Sequence, residues 1–222
     1  MLNSSCIILF VKSPERGKVK SRLASAIGED KALDIYRAFI HDITGTLKKG
    51  NHPITIAFYP EDSEEAVVKW LGRDFEYLTQ KGKDLGERME NAFAHSFSRY
   101  QRVVLIGSDI PDLTSAVMDE AFSALEKKDA VIGPASDGGY YLIGFRKDSF
   151  LPDIFHEIVW GADSVYRETL KIFEKAGHRI HILPEWKDVD TLDDLRSLFM
   201  RNRNSGFGDS LTMSSCRAVF HD

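Results

Sequence analysis

The chain has 222 residues, of which 43% are hydrophobic and 28% are charged, an ordinary composition for a globular protein. Its formal net charge of −5 argues against a general nucleic-acid binder, which usually shows a basic surface. The first apolar run, residues 6–11, is too short for a signal-peptide core or a membrane span, and no later run approaches membrane length. We therefore expect a cytoplasmic protein with no membrane span and no nucleic-acid partner.

Strand patterns alternate with helical patterns along most of the chain, which predicts βαβ units and a largely parallel sheet. The predicted strands cover residues 6–11, 54–58, 75–78, 103–106, 130–132, 140–145 and 179–183. The predicted helices cover residues 28–47, 63–71, 84–100, 114–127, 162–176 and 191–200. We expect one α/β domain over residues 1–200. Residues 201–222 lose periodicity and gain Ser, Asn and Gly, which favours a mobile extension.

Five cations fall within residues 12–22, directly after the first predicted strand. In an open parallel sheet, ligands bind outside the carboxyl ends of the strands, where this loop begins. A basic loop that leads into a helix N-terminus suits phosphate binding, because cations and backbone N–H groups converge on one anion. The alternative is a solvated charged loop.

Asp109 follows the apolar strand predicted at residues 103–106, so its carboxylate projects from the edge of the sheet. A carboxylate there suits Mg²⁺ or Mn²⁺, since Mg²⁺ typically binds through one or two carboxylates and substrate phosphates. The alternatives are that Asp109 caps a turn before Pro111, or that Asp112 caps the next helix.

Asp188 and Asp190 offer a second carboxylate for the same metal ion. They stand at i and i+2, so in extended backbone their side chains point the same way. The next residues, Thr191 to Asp194, resemble a capping box with Asp in place of Glu, so these acids also serve the start of a helix.

The run Asp137-Gly138-Gly139 joins two predicted strands. It is a hairpin-turn signal. Alternatively, Asp137 is a carboxylate that contacts a sugar or an acceptor, and the glycines allow the ligand to come close.

Six segments, taken in this order, resemble the nucleotide-diphospho-sugar transferases. They are FVKSPERGKVKSRLA, QKGKDLGERMENAF, VVLIGSDIPDLT, VIGPASDGGYYLIGF, IVW and DVDTLDDL, and together they span about residues 6–200. They are most similar to a bacterial family of glycosyltransferases, some of them linked to arsenosugar biosynthesis. The resemblance implies a glycosyltransferase-A type of fold, a three-layer α/β/α arrangement with a mostly parallel, Rossmann-like central sheet.

The resemblance also implies roles for individual residues. Asp109 takes the place of the metal-binding acid in an Asp-x-Asp site, which here reads Gly107-Ser108-Asp109, so Asp190 or Asp188 would complete a site for Mg²⁺ or Mn²⁺. The basic loop would bind the diphosphate through Lys12, Arg16, Lys20 and Arg22. The remaining substrate-binding residues would be Gln80 and Gly86 at the base, Asp84 and Arg88 at the sugar, and Gly138 and Gly139 beside Asp137.

We expect transfer of a glycosyl group from a nucleotide-diphosphate sugar to an acceptor that the sequence does not identify. Asp137 would be the general base for the acceptor hydroxyl or a sugar-binding group. The segment KVKSRLA also resembles the loop of phospholactate guanylyltransferases, so a nucleotidyltransferase that joins an NTP to a phosphorylated acceptor is the alternative. A nucleotide-binding module without catalysis is a third hypothesis, motivated by the missing first acid. The sequence gives no oligomeric state.

Overall fold

The computed structural model describes residues 3–156 and 158–220, and its seven strands form one sheet. The strands are β1 (Asn3–Lys12), β2 (Ile54–Tyr59), β3 (Glu76–Thr79), β4 (Tyr100–Ile106), β5 (Ala130–Pro134), β6 (Tyr140–Arg146) and β7 (Ile180–Ile182). The helices are α1 (Ser21–Ile27), α2 (Glu29–Leu47), α3 (Glu64–Leu71), α4 (Leu85–Phe97), α5 (Ser115–Ala124), α6 (Val165–Lys175), α7 (Leu192–Asn202) and α8 (Leu211–Phe220).

The strand order is β3-β2-β1-β4-β6-β5-β7. All neighbouring strands pair in parallel except β6, which runs antiparallel to both β4 and β5. Each predicted strand is present, and the predicted α/β class with a mostly parallel central sheet is confirmed. The helix predicted to end at residue 100 stops at Phe97, because β4 already begins at Tyr100, whose ring is buried.

Helices cover both faces of the sheet, so the apolar residues of a central strand are buried on both sides. In β1 the alternate residues Ile7 and Leu9 face a core cluster shared with α2 and α5. Between them, Ile8 and Phe10 face a second cluster built on α4. We call these the α2 face and the α4 face of the sheet. A site at the strand ends is therefore bordered by two distinct walls.

The C-terminal segment differs from the mobile extension that we expected over residues 201–222. Its α8 packs against α2, and Met213 and Cys216 are fully buried there. The apolar residues 213, 216 and 220 recur at helical spacing, a pattern hidden behind the Ser- and Gly-rich stretch before it. Residues 221 and 222 of the predicted extension lie outside the described residues.

A short helix before α2 was also absent from the prediction: α1 follows the basic loop directly, and its Leu23 is buried in a third cluster with α7. Across residues 3–156 and 158–220, we find no helix with the length and apolar character that crossing a bilayer requires.

Candidate active site

A cavity of about 500 Å³ opens at the edge of the sheet where β1 and β4 end. Because β6 is antiparallel, its first residues and the turn before it reach the same edge. The backbone N–H of Gly107, just after β4, donates to the carbonyl of Tyr141 in β6 at 3.0 Å. The cavity therefore draws on loops from distant parts of the sequence, as the rule for open α/β sheets predicts.

Lys20 is the centre of the charged side of this cavity. Its side chain is 3% exposed, and its ε-ammonium lies 2.5 Å from Oδ1 of Asp109 and 3.1 Å from Oδ1 of Asp190. It also donates to the carbonyl of Val189 at 2.7 Å. Burial opposes the charge, but the two carboxylates outweigh it and raise the pKa of Lys20 above its usual range. The ammonium is therefore a permanent cation inside the site.

Backbone geometry places Lys20 where its side chain can turn inward. Its φ of 47° and ψ of 47° are left-handed, an uncommon conformation for a residue other than glycine. It stands at the N-cap of α1, so Arg22 lies in the first turn of that helix. The terminal Nη1 of Arg22 lies 3.5 Å from Oδ2 of Asp190.

The loop after β4 is joined to the segment before α7, which brings the predicted metal-binding acids together. The carbonyl of Asp109 accepts from the backbone N–H of Val189 at 2.9 Å. Both Asp188 and Asp190 line the cavity with Asp109. Burial and the negative charges of Asp137 and Asp190 raise the pKa of Asp188 to about 6. Negative charge is thus concentrated on this side of the site.

The fit to a divalent cation is partial. Within the described residues, no three His, Cys, Asp or Glu side chains form a group able to hold a metal ion. Asp109, Asp188 and Asp190 nevertheless supply hard oxygen donors at one edge, and two of them already share a buried cation. Such a donor set suits Mg²⁺, which usually completes its shell with water and substrate phosphates.

Three of the four cations predicted to bind phosphate line the cavity, and the fourth does not. Lys12, Lys20 and Arg22 line the cavity. Arg16 instead turns toward the start of α2, where its Nε lies 2.7 Å from Asp30 and 3.5 Å from Glu29.

Tyr36 of α2 is hydrogen-bonded to Lys12, the first residue of the basic loop. The backbone N–H of Lys12 donates to the Tyr36 hydroxyl at 2.8 Å, and that hydroxyl donates back to the Lys12 carbonyl at 3.1 Å. Burial raises the pKa of Tyr36, so this hydroxyl stays protonated. Tyr36 lies within the helix predicted over residues 28–47, and nothing in the sequence signals its contact with the loop.

The turn Asp137–Gly139 connects β5 to β6, as the hairpin alternative predicted. Asp137 lines the cavity, and its Oδ1 also accepts from the N–H of Gly139 at 2.8 Å. A Cβ on Gly138 would lie 2.1 Å from the carbonyl oxygen of Asp163, and its φ is +90°. Gly138 therefore serves close backbone packing, while Asp137 presents a carboxylate to the cavity.

Gln80 lines the cavity at the end of β3 and is buried. Its amide nitrogen donates to the carbonyls of Ala57 and Val11 at 2.7 and 3.3 Å, which tie it to the ends of β2 and β1. Arg88 has a different environment: its guanidinium stacks on the ring of Tyr59, 3.9 Å from the centroid.

The start of α4 contains the other two residues predicted to bind substrate. Asp84 is its N-cap and accepts from the N–H of Glu87 at 2.9 Å. A Cβ on Gly86 would lie 2.2 Å from the carbonyl oxygen of Phe155 and 2.5 Å from Nε1 of Trp160. Gly86 thus lets α4 pack closely against the segment that follows β6.

Asp112 lies in the loop after β4, behind the charged side of the cavity. The sequence suggested only that it caps the next helix. Its carboxylate, 6% exposed, accepts from Nε of Arg201 at 2.8 Å, from Nδ2 of Asn202 at 2.7 Å and from Nε1 of Trp186 at 3.0 Å. Despite burial, these donors lower the pKa of Asp112. The carboxylate fixes the loop after β4 to the C-terminal end of α7.

Comparison with known proteins supports this picture of the fold. The family model described as "Uncharacterized protein conserved in bacteria (DUF2064)" matches residues 43–162. A solved structure from Desulfovibrio desulfuricans G20, described as a nucleotide-diphospho-sugar transferase, is 45% identical; the match covers 98% of this chain and 95% of that chain, with a TM-score of 0.95. The predicted resemblance to the nucleotide-diphospho-sugar transferase superfamily is thus confirmed.

Among curated proteins, the 2-phospho-L-lactate guanylyltransferase of Methanothermobacter thermautotrophicus is 26% identical over 121 residues. That match covers 54% of this chain and 53% of the relative, so the chain spans about half the length of that protein.

Two more distant solved structures share the fold alone. A cytidylyltransferase from Leptospira borgpetersenii is 13% identical, covering 98% of this chain and 94% of its own, with a TM-score of 0.56. Rv0371c of Mycobacterium tuberculosis, in complex with manganese, is 17% identical, covering 88% and 98%, with a TM-score of 0.53. The family model and the 45% identical structure, which extends over nearly the whole chain, settle the family: this chain belongs to the DUF2064 proteins of bacteria.

Proposed function

We propose that the protein is a nucleotidyltransferase, which transfers the nucleotidyl group of an NTP to a phosphorylated acceptor and releases pyrophosphate. The observation that carries this proposal is the buried Lys20 ammonium at the strand edge, flanked in the same cavity by Lys12 and Arg22. A guanylyltransferase and a cytidylyltransferase among the similar proteins favour nucleotidyl transfer over the glycosyl transfer that the sequence analysis put first.

The reaction needs charge stabilisation more than proton transfer. A phosphate oxygen of the acceptor attacks the α-phosphorus of the NTP and forms a new P–O bond. The bond from that phosphorus to the oxygen shared with the β-phosphate breaks, and its electron pair leaves with pyrophosphate. The acceptor oxygen is already ionised at neutral pH, so no general base is required.

Lys12 and Arg22 would bind the phosphates of the NTP and stabilise the charge that accumulates on the departing pyrophosphate. Lys20 gives its three N–H donors to Asp109, Asp190 and the Val189 carbonyl, so it would hold these two carboxylates in place beside the phosphates. The side chain of Arg22 is largely exposed, so it would be able to move with the departing pyrophosphate.

Asp109, with Asp190 or Asp188, would hold Mg²⁺ or Mn²⁺, in keeping with the manganese in the Rv0371c structure. A bound divalent ion would supply additional positive charge at the phosphates. Gln80, at the β3 end of the cavity, would lie beside the nucleoside. Asp137, on the β6 side, would contact a polar group of the acceptor.

The test is pyrophosphate release from each of the four NTPs with Mg²⁺ or Mn²⁺ and a panel of phosphorylated acceptors. Arg22→Ala should reduce kcat/KM by about 100-fold, the scale of losing a charge contact to the transition state. Arg16→Ala is the matched control, because Arg16 belongs to the same loop but pairs with Asp30 and Glu29. Equal losses in both variants, or no pyrophosphate with any NTP, would reject the proposal.

Glycosyl transfer is the second candidate, favoured by the 45% identical structure described as a nucleotide-diphospho-sugar transferase. Asp137 would then be the general base for an acceptor hydroxyl, and the same cations would stabilise a departing nucleoside diphosphate. Nucleoside diphosphate as the product from a sugar nucleotide, without pyrophosphate from any NTP, would select this reaction. Thermal stabilisation by nucleotides with turnover of neither donor would select the non-catalytic module.

A further inference from the structure

The two walls of the cavity have opposite chemistry. Lys20 and its partners Asp109 and Asp190 lie on the side of the cavity where Val19, Tyr36 and Ile110 belong to the first core cluster. On the opposite wall, Met89 belongs to the second cluster on the α4 face, and Tyr140 and Trp160 pack against it. The lining side chains of this wall, all uncharged, are those of Leu85, Met89, Tyr140, Trp160, Ala162 and Val165. We call this set the apolar wall.

The apolar wall is a packed surface with two polar atoms in it, the Tyr140 hydroxyl and Nε1 of Trp160. The rings of Tyr140 and Trp160 meet edge to face, with centroids 6.3 Å apart. The Tyr140 hydroxyl faces Sδ of Met89 at 3.9 Å, and a thioether is a weak hydrogen-bond acceptor. Burial raises the pKa of Tyr140, so the hydroxyl is a neutral donor. A ligand on this wall would meet aromatic surface.

The wall also exposes apolar area that the fold does not use. Leu85, in the first turn of α4, is 43% exposed although it lines the cavity. Val159, which precedes Trp160 in the sequence and is not among the cavity-lining residues, is 72% exposed. Exposed apolar surface that adjoins a ligand cavity is typical of a surface that a ligand covers.

The aromatic part of the wall, Tyr140 and Trp160, belongs to the β6 end of the cavity, whereas Leu85 and Met89 lie on α4, which packs against the Trp160 segment through Gly86. Gln80 follows β3 and Lys12 ends β1, whereas Trp160 and Val165 follow β6. Asp109, after β4, lies between these two ends in the strand order. If the nucleoside occupies the Gln80 end and its phosphates lie at Asp109, the group that attacks them comes from the β6 end.

We propose that the apolar wall is the acceptor subsite, and that the acceptor carries an aromatic or alicyclic ring next to its phosphate. This rests on the proposed nucleotidyl transfer. A small phosphorylated carboxylate, such as the substrate named for the guanylyltransferase relative, would bring a second anion to a wall without a cation. That anion would also approach the carboxylate of Asp137, and its desolvation would be uncompensated.

The test is a fluorescence titration of the full chain with three probes: phenyl phosphate, 2-phospholactate and inorganic phosphate. Phenyl phosphate should quench Trp160 saturably and bind about tenfold more tightly than 2-phospholactate, as expected for one stacked ring. Inorganic phosphate should leave the Trp160 signal unchanged. The signal should disappear in Trp160→Phe and persist in Trp70→Phe, because Trp70 is not among the residues that line this cavity.

Two further measurements keep the outcome decisive. Leu85→Ser alters an exposed residue, so the variant should fold and should bind phenyl phosphate about tenfold more weakly. NTP binding, followed by thermal shift, should be unchanged in Trp160→Phe, which separates failure of the acceptor subsite from failure of the proposed function. Tighter binding of 2-phospholactate than of phenyl phosphate would overturn the proposal. So would displacement of phenyl phosphate from Trp160 by free guanosine or cytidine, since the wall would then hold the base.

Discussion

The ammonium of Lys20 lies 2.5 Å from the carboxylate of Asp109, although the two residues are 89 positions apart in the sequence. The side chain of Lys20 is 3% exposed and that of Asp109 is 49% exposed. The cation is thus deeper than its partner. Such an ion pair is weak evidence for net stability, but removing its buried member leaves carboxylates without their counter-charge.

Lys20→Met should therefore destabilise the protein. We expect a loss of about 2 kcal/mol in the free energy of unfolding, less than for a fully buried pair because water reaches Asp109. Urea denaturation at pH 7 measures it. Lys18→Met is the matched control, since Lys18 is an exposed lysine of the same loop. Losses of the same size in both variants would show that the contact with Asp109 has no special role.

Asp188 should make the protein less stable as the pH rises. Its folded pKa of about 6 lies above the usual value near 3.9, so the folded state binds more protons between these two values. Stability therefore falls as the pH increases from about 4 to 6. Asp188→Asn should unfold at a higher temperature than the wild type at pH 7.5, with a smaller difference at pH 5. A constant difference between the two proteins would contradict the raised pKa.

Asp112→Asn should lower the free energy of unfolding more than most single substitutions near the charged side of the cavity. It removes the charge that Arg201 contacts at 2.8 Å, and the carboxylate is only 6% exposed, so we expect a loss of about 3 kcal/mol. The folded pKa of Asp112 is lowered, so its contribution is complete above the unfolded pKa and is lost as the pH falls through the folded pKa. Urea denaturation at pH 7 and at pH 3 should show the difference shrinking in acid.

Asp119→Asn is the control for this substitution, because Asp119 is exposed on the neighbouring α5. Its effect should stay within about 0.5 kcal/mol, as is usual for a surface position. A similarly small effect of Asp112→Asn would mean that the contacts with Arg201 and Asn202 do not hold the loop in solution.

Gly86→Ala distinguishes close helix packing from base recognition. The added methyl group would meet the Phe155 carbonyl at 2.2 Å, so the helix must shift and the melting temperature should fall even without nucleotide. Gly45→Ala is the control: Gly45 is an exposed glycine in α2 with no heavy atom within 4 Å of the new Cβ, and it should stabilise by about 0.5–1 kcal/mol. Normal stability of Gly86→Ala with impaired nucleotide binding would favour base recognition instead.

The strands could be predicted because their signal is local. Runs such as residues 103–106 are apolar throughout, and a strand buried on both faces needs that pattern. The antiparallel β6 was only implicit in the Asp137–Gly139 turn, because strand direction depends on pairing with β4. Helix α8 was not predicted, because its buried face can be recognised only from its contact with α2. Helix α2 precedes α8 by more than 160 residues.

The sequence indicated which residues lie near the cavity, but only some of the contacts that they make. Loop position after β1 and β4 correctly brought Lys20 and Asp109 to one edge. It gave no indication that Arg16 turns away toward Asp30, since a charge in a loop has no periodicity to orient it. Trp160 belonged to a recognised segment, but its neighbours Tyr140 and Gly86 come from other elements, so its surroundings require the tertiary fold.

The antiparallel direction of β6 determines which part of the sequence shapes one side of the cavity. Because the turn before β6 returns to the edge where β4 ends, residues 135–165 supply much of one side of the cavity from a single stretch of chain. The lining cations Lys12, Lys20 and Arg22 come from an earlier stretch of the chain. Substitutions within one contiguous part of the gene can therefore reshape that side of the cavity while the basic loop stays unchanged.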